Sequence, residues 1–190
     1  MATARLCLIP AMWMAWAVYW WLMSGNVKAT AKRESLSSRL THVVPLGIAV
    51  LLVWAPGVQI AWLDAPIAPR SPWLFLTGTV LVTAGLLFTV WARRHLGRNW
   101  SAIVTVKQDH ELICTGPYAI VRHPIYTGLL LAFVGSAVAV DEWRGALAVL
   151  IAALALWRKL RLEERWMREQ FGDKYVAYSK KVPALVPFIL

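Results

Sequence analysis

Charged positions are missing from three long stretches of this 190-residue chain: residues 6–23, 43–63 and 73–92 hold no Asp, Glu, Lys or Arg. A helix rises about 1.5 Å per residue, so roughly 20 residues cross a hydrocarbon core of about 30 Å. Each run therefore predicts a membrane-spanning helix. Two shorter runs, 125–140 and about 143–157 with the single Arg144 admitted, are separated only by Asp141 and Glu142. They predict a tight helical hairpin and bring the expected count to five spans. Pro10, Pro45 and Pro56 fall inside the first two runs and predict kinks, since neighbouring helices can satisfy the freed carbonyls.

The intervening pattern is polar. Residues 24–41 read as a loop, and 64–72, with Pro66, Pro69 and Pro72, as a short turn. Beyond Arg93-Arg94 the periodicity changes. Ala102–Val106 alternates small and β-branched residues, which predicts an extended arm. Asp109-His110-Glu111-Leu112-Ile113 would be its return strand, and Gly116-Pro117 a turn. A loop this long in a compact membrane protein signals function. Residues 158–181 predict a basic helix or pair of helices, with Trp166, Phe171, Tyr175 and Tyr178 spaced to share one face and Lys and Arg stems reaching to headgroups. The apolar, Pro-punctuated end, Val182–Ile189, is expected to tuck back onto the helices. The expected architecture is all-α integral membrane: three N-terminal spans over 1–92, then 93–190 carrying the chemistry, in one integrated domain.

Composition agrees. With 59% hydrophobic and 16% charged residues, the chain departs from soluble domains, which run near 45–50% apolar and about 25% charged. The net charge of +10 raises the question of nucleic acid, but its distribution argues against such a partner. With five spans, 24–41, 93–124 and 158–190 share one side and hold 17 of the 20 Lys and Arg; Arg5, Arg70 and Arg144 face the other way. The positive-inside rule then sets the N-terminus outside and the C-terminus in the cytoplasm. The first run exceeds a usual signal-peptide core and is followed, not preceded, by basic residues, so it is expected to be a retained span. Cys7 and Cys114 offer no disulfide framework, and no two of the four histidines stand at i, i+4, so no metal site is expected. Trp20-Trp21, Trp73 and Trp143 sit near span ends, as in an aromatic belt.

The chemistry concentrates in Gly116-Pro117-Tyr118 and Arg122-His123-Pro124-Ile125-Tyr126. Ionisable groups beside a span are costly unless they have a partner or ligand. With Asn99-Trp100-Ser101, His110-Glu111-Leu112-Ile113, Glu163-Glu164, Phe171-Gly172-x-x-Tyr175-x-x-Tyr178 and Val182-Pro183…Pro187, residues 97–188 resemble the C-terminal half of the isoprenylcysteine carboxyl methyltransferase family. Those membrane enzymes use S-adenosylmethionine to methylate a prenylcysteine carboxylate. The first three spans match only in being hydrophobic.

The resemblance implies a cytoplasmic cofactor pocket lined by His110, Glu111, Leu112, Ile113, Tyr118, His123, Pro124, Ile125 and Tyr126, with Glu163 as the cofactor-binding acid. Pro124 suits a first helical position; His123 would then sit at a helix start whose amides could meet the cofactor carboxylate. Tyr118 and Tyr126 offer aromatic faces to adenine or the sulfonium. The family places an arginine four residues before the glutamate to hold the acceptor carboxylate. Here Lys159 stands there, beside Arg158, and an ammonium lacks the guanidinium fork. Arg122, Lys159 and Arg158 are thus the candidate catalytic cations. The acceptor would be lipophilic, entering from the bilayer among membrane lipids. A carboxylate acceptor needs no general base at neutral pH, whereas a thiol or amine would call on His123 or Glu164.

Two other readings compete. Membrane sterol reductases that use NADPH resemble the same Arg-His-Pro and Val-Pro pattern, though with about twice as many spans and Gly-Trp-Trp at the position of Gly116-Pro117-Tyr118. A non-catalytic membrane protein on the same fold is the other, and Lys159 is its best support. Arg122 alone reads better as a basic boundary anchor, a balance that the accompanying His123-Pro124-x-Tyr126 and Gly116-x-Tyr118 reverse. Tyr175 and Tyr178 read better as packing or interface residues than as catalytic ones.

Overall fold

The computed structural model describes residues 2–25, 30–54, 61–69, 71–100, 105–107 and 112–187. In chain order these form α1 (Ala2–Leu22), β1 (Thr30–Arg33), α2 (Leu36–Trp54), α3 (Pro72–Leu96), β2 (Thr105–Lys107), α4 (Pro124–Val140), α5 (Trp143–Phe171) and α6 (Asp173–Lys181). Among the described residues three helical stretches, Cys7–Gly25, Leu36–Trp54 and Pro72–Leu96, are long and apolar enough to cross a membrane, while Pro124–Val140 is apolar but shorter. Large apolar side chains face outward along them, Leu51, Leu76, Val80 and Leu87 among them. Water would not tolerate so much exposed apolar surface. The chain is an integral membrane protein, all-helical among the described residues apart from one short ribbon.

Local chemistry sets the helix ends. Ser71 caps α3 by accepting the Trp73 amide, Pro72 occupies the first helical position, and Arg93, Arg94 and His95 fill the last turn before Gly97, whose φ of 54° stops the helix. This is the expected polarity of caps and charges. Helix α2 begins earlier than the charge-free run. Ser35 accepts the amide of Ser38 on its Oγ and that of Arg39 on its carbonyl, so the last part of the expected 24–41 loop is helical. The expected 43–63 span is also not one helix, because Ala61–Asp64 forms a 3-10 turn. Pro10 and Pro45 lie inside α1 and α2; Pro56 lies outside the described residues.

The expected hairpin is present. Asp141, at φ 55°, ends α4, and α5 begins two residues later. Its turn is clamped by residues 65–68: Ile67 and Ala68 donate to the Asp141 carbonyl and Oδ1 at 3.2 Å each. Helix α5 then continues well beyond Trp157 as one 29-residue helix. The basic segment is therefore its extension, and Gly172, at φ 51°, divides it from α6.

Helices α3 and α4 pack almost backbone to backbone. A Cβ added at Gly85 would lie 2.5 Å from the Gly128 carbonyl oxygen, and one at Gly78 would lie 2.5 Å from that of Gly135. Glycines spaced seven apart on each helix thus make the seam, as expected where van der Waals contact must replace the hydrophobic effect. Helix α1 is tied on by its indoles: Trp13 donates to Ser136 Oγ at 3.1 Å and Trp16 to Thr89 Oγ1 at 2.7 Å. Buried Arg93 donates to the carbonyls of Gly97 at 2.8 Å and Met23 at 2.6 Å, with its guanidinium 4.3 Å from the Trp100 ring centre.

The extended arm was expected to pair with a local return strand. β2 pairs antiparallel with β1, Lys32 opposite Val106 and Arg33 opposite Thr105, while Asp109, His110 and Glu111 of the expected return lie outside the described residues. Two connections distant in sequence are joined, and Leu112 and Ile113 lie in irregular chain.

Candidate functional site

The ends of α3 and α6, the start of α4 and the extension of α5 converge on one side of the molecule. Gly116–Ala119 forms a 3-10 turn. Gly116 has φ 59°, and a side chain there would run into the His95 ring at 2.7–2.9 Å. His95 contacts Thr115 Oγ1 at 2.9 Å and stacks beside Tyr118, centroids 6.4 Å apart. Tyr118 is buried, and Tyr178 donates to its carbonyl at 2.5 Å. Burial pushes the Tyr118 phenol well above its ordinary pKa, so it remains a neutral donor.

Glu163 and Glu164 stand next to each other beyond the apolar part of α5. They share His123, whose Nδ1 lies 3.5 Å from Glu163 Oε2 and whose Nε2 lies 3.5 Å from Glu164 Oε1, but their other partners differ. Arg122 reaches Glu164 Oε1 with Nε at 2.8 Å and Nη2 at 2.6 Å. Its Nη1 donates to the Ser179 carbonyl at 2.8 Å and to that of Val182. Arg168 adds a contact to Glu164 Oε2 at 3.4 Å. Burial works against this carboxylate, but His123 and Arg122 outweigh it and hold its pKa at about 2. Arg122 is therefore an internal clamp that joins α5 to the end of α6. Arg122→Ala should cost about 1.5–3 kcal/mol, the usual worth of a hydrogen bond to a charged group, because Arg168 and His123 remain beside Glu164. Thermal unfolding in detergent checks it, and an unchanged midpoint would rule the clamp out.

Glu163 faces the other way. Tyr126 donates its hydroxyl to Glu163 Oε1, and His123 Nδ1 lies 3.5 Å from Oε2. The His123 ring stacks on Tyr126 with centroids 5.4 Å apart and planes 5° from parallel. Lys159 lies one turn before Glu163 with Nζ 5.3 Å from the Tyr126 ring centre. Burial opposes charge on both partners, yet they stabilise one another. Glu163 and Glu164 raise the His123 imidazole above its ordinary value, while His123, Lys159 and Tyr126 hold Glu163 below the usual carboxylate range. A quarter of the Glu163 side chain stays exposed, against 9% for Glu164. Glu164 lines the recess beside Arg122, but its carboxylate is taken up by Arg122 and Arg168. Glu163, which no arginine among the described residues holds, is the acid left for a ligand's own donors.

The helix-start amides differ from expectation. Pro124 occupies the first position of α4, as anticipated. The amides of Arg122 and His123, however, donate to the Pro183 and Ala184 carbonyls at 2.8 and 3.0 Å, and those of Tyr126 and Thr127 to the His123 carbonyl. Residues 182–185 thus fold back as expected, and the amides of Arg122 and His123 are committed to the tail. Thr127 Oγ1 adds a bond to the Leu185 carbonyl at 2.6 Å. Ile125 packs with Leu156 and Leu160 beneath Tyr126. Arg158 is exposed and donates to the Ser38 carbonyl at 3.3 Å. Leu112 and Ile113 are partly buried; His110 and Glu111 lie outside the described residues.

Sequence reasoning missed one polar pair. Glu34 and His42 are both buried, with His42 Nε2 3.4 Å from Glu34 Oε1 and Ser38 donating to Glu34 Oε2 at 3.1 Å. Arg158 of α5 reaches the Ser38 carbonyl, so α2 borders the same charged cluster. The residues lie at positions 34, 38 and 42, an i, i+4 polar stripe that reading 24–41 as a loop concealed.

An all-helical membrane protein with an accessible acid held by a tyrosine and a histidine is thereby defined. The sequence profile of the phospholipid methyltransferase family matches residues 73–174, more than half of the chain, and the chain belongs to that family. It is 28% identical over 173 residues to protein-S-isoprenylcysteine O-methyltransferase B of Arabidopsis thaliana, covering 84% of this chain and 81% of that one. To the protein-S-isoprenylcysteine O-methyltransferase of Mus musculus it is 31% identical over 158 residues, 79% and 54% of the two chains. Its fold is similar to a solved structure of the eukaryotic intramembrane Ras methyltransferase, isoprenylcysteine carboxyl methyltransferase, with TM-score 0.58, 21% identity, and 80% and 52% coverage. The chain thus spans about half the length of the mouse relative and of the solved structure. The resemblance read from the motifs is borne out.

Proposed function

We propose that this protein is an S-adenosylmethionine-dependent methyltransferase acting on a lipophilic acceptor, by default the carboxylate of a C-terminal prenylcysteine. The observation that carries this reading is Glu163: an ionised, partly exposed carboxylate oriented by Tyr126 and His123, beside a lysine ammonium and within an apolar shell. The names of the relatives support the same chemistry.

The residues suit such a cofactor. Glu163 can accept from its amino group or ribose hydroxyls, and the Tyr126 ring, which already has one cation near it in Lys159, lies where positive charge is tolerated. Once bound, S-adenosylmethionine supplies a methyl group on an electron-poor sulfonium sulfur. The protein's share is binding, alignment and exclusion of water. Tyr126 and His123 keep Glu163 ionised and fixed. Tyr118, locked by Tyr178, closes one side. Lys159, with Arg158 beside it, is assigned to the acceptor's anionic group. Lys159→Ala should raise the acceptor KM or lower turnover about tenfold while sparing cofactor affinity; loss of cofactor binding alone would sink this division of roles.

The same reading sets five spans, α1 to α5, with the N-terminus outside and the Glu163 side in the cytoplasm. Equilibrium binding of S-adenosylmethionine, S-adenosylhomocysteine and NADPH to the purified protein tests the class. Binding of the adenosyl pair alone supports it, NADPH alone moves it to a reductase, and silence from folded protein favours a non-catalytic role. Turnover with prenylcysteine against thiol and lipid-amine acceptors then decides the substrate.

A further inference from the structure

A cavity opens beside the Arg122–Glu164 pair, and from it we infer that the chain holds one anionic phospholipid at its membrane boundary. The lipid phosphate would lie against Arg161, Arg165 and Arg168, with an acyl chain along Trp157, Leu154 and Leu150. The cavity, about 720 Å³, lies between the extension of α5, Ser179 at the end of α6, and the tail residues Ala184–Val186. Glu163, Lys159 and Tyr126 do not line it, so it is distinct from the proposed cofactor position.

Its charge is unbalanced. Four arginines, Arg122 among them, line it against the two carboxylates Glu164 and Glu169. Glu164 is already shared by Arg122 and Arg168. Two positive charges are left over in the recess, which an anion would neutralise. Guanidinium forks match phosphate oxygens in pairs.

The shape of the helix selects an amphiphile. Leu150, Leu154 and Trp157 are 56%, 61% and 49% exposed. With Arg161, Arg165 and Arg168 they follow i, i+3 and i+4 spacing, so all six share one exposed face of α5. That face is apolar for its first half and cationic for its second. Eleven residues separate Leu150 from Arg161, roughly 16 Å of helix, comparable to a lipid acyl chain. The apolar tail residues Leu185 and Val186 complete the wall beside the arginines. A soluble anion would use only the charged half. A lipid with its headgroup at the boundary covers both, in the manner of juxtamembrane basic clusters. This site rests on α5 crossing the bilayer and not on the methyl-transfer reading.

The test is native mass spectrometry of the full chain released from nanodiscs of equal phosphatidylglycerol and phosphatidylcholine, without S-adenosylmethionine. The protein should retain one phosphatidylglycerol. Retention should fall at least about tenfold in the R161Q/R165Q/R168Q variant and survive in K174Q/K180Q/K181Q, which removes as many charges from α6 outside the cavity. Thermal unfolding monitors the fold, and the single variant R165Q, with a smaller loss, replaces the triple one if that is unfolded. Equal retention by protein and arginine variant, equal loss in both triple variants, or displacement by millimolar inorganic phosphate would each overturn the lipid site. Silence towards S-adenosylmethionine would sink the methyltransferase reading and leave this result standing.

Discussion

Glu163→Gln should weaken S-adenosylmethionine binding by about tenfold or more, equivalent to at least ~1.4 kcal/mol, with little change in fold. Glutamine keeps the size of the side chain and can still accept from the Tyr126 hydroxyl. What it loses is the charge, and with it the attraction for a cationic amino group. A hydrogen bond to a charged group is worth about 1.5–3 kcal/mol, which sets the scale. The imidazole of His123, raised in part by Glu163, should titrate nearer its ordinary value in the variant, and NMR of the ring gives a second readout independent of the cofactor. Titration calorimetry in detergent measures the affinity. If it is unchanged in folded protein, Glu163 does not hold the cofactor.

The second large effect falls on the fold. Gly85→Leu should abolish the close approach of α3 and α4 and remove most folded protein from detergent extracts. The first added carbon would sit 2.5 Å from the Gly128 carbonyl and 2.7 Å from the Ala132 amide nitrogen. Those are backbone atoms of a helix and cannot rotate away. Overpacking a core ordinarily costs 1–3 kcal/mol, and a backbone collision across a helix seam belongs at or above the top of that range. The Gly128 turn lies just after His123-Pro124-Ile125-Tyr126, so displacing α4 would also separate Tyr126 from Glu163, and any remaining folded protein should bind cofactor poorly. Gly47→Leu is the matched control, because a side chain there meets nothing within 4 Å. Size-exclusion profiles of the two variants decide the matter; equal monodisperse yields would refute the glycine seam.

Much of the site was legible in the sequence because its motif residues are neighbours along the chain. Pro124 marks the first turn of α4 by its fixed φ, and Glu163 lies one turn after Lys159 in any helix. The motif also located Tyr118 and the returning Val182–Pro187 tail. It could not show that the tail would take the amides of Arg122 and His123, since a free donor and a satisfied one look alike in sequence. Glu34 and His42 escaped for a related reason. A polar stripe before an apolar run reads as a solvated loop unless the helix facing it is known, and that helix is α5, more than a hundred residues away.

What the sequence determined by itself is the set of apolar segments, the hairpin turn at Asp141-Glu142 and the residue types of the site. Transfer free energy and backbone preference act on contiguous residues, so a local pattern carries them. Tertiary structure decided the rest: that β2 joins β1, that Gly78 and Gly85 meet Gly135 and Gly128, and that the two adjacent acids divide their roles. Successive residues on a helix point about 100° apart, which turns Glu164 towards Arg122 and Arg168 and Glu163 towards Tyr126 and Lys159. Periodicity supplies the angle between the two carboxylates. Only the packing of α4, α6 and the tail around α5 determines which of them is clamped and which is left for a ligand.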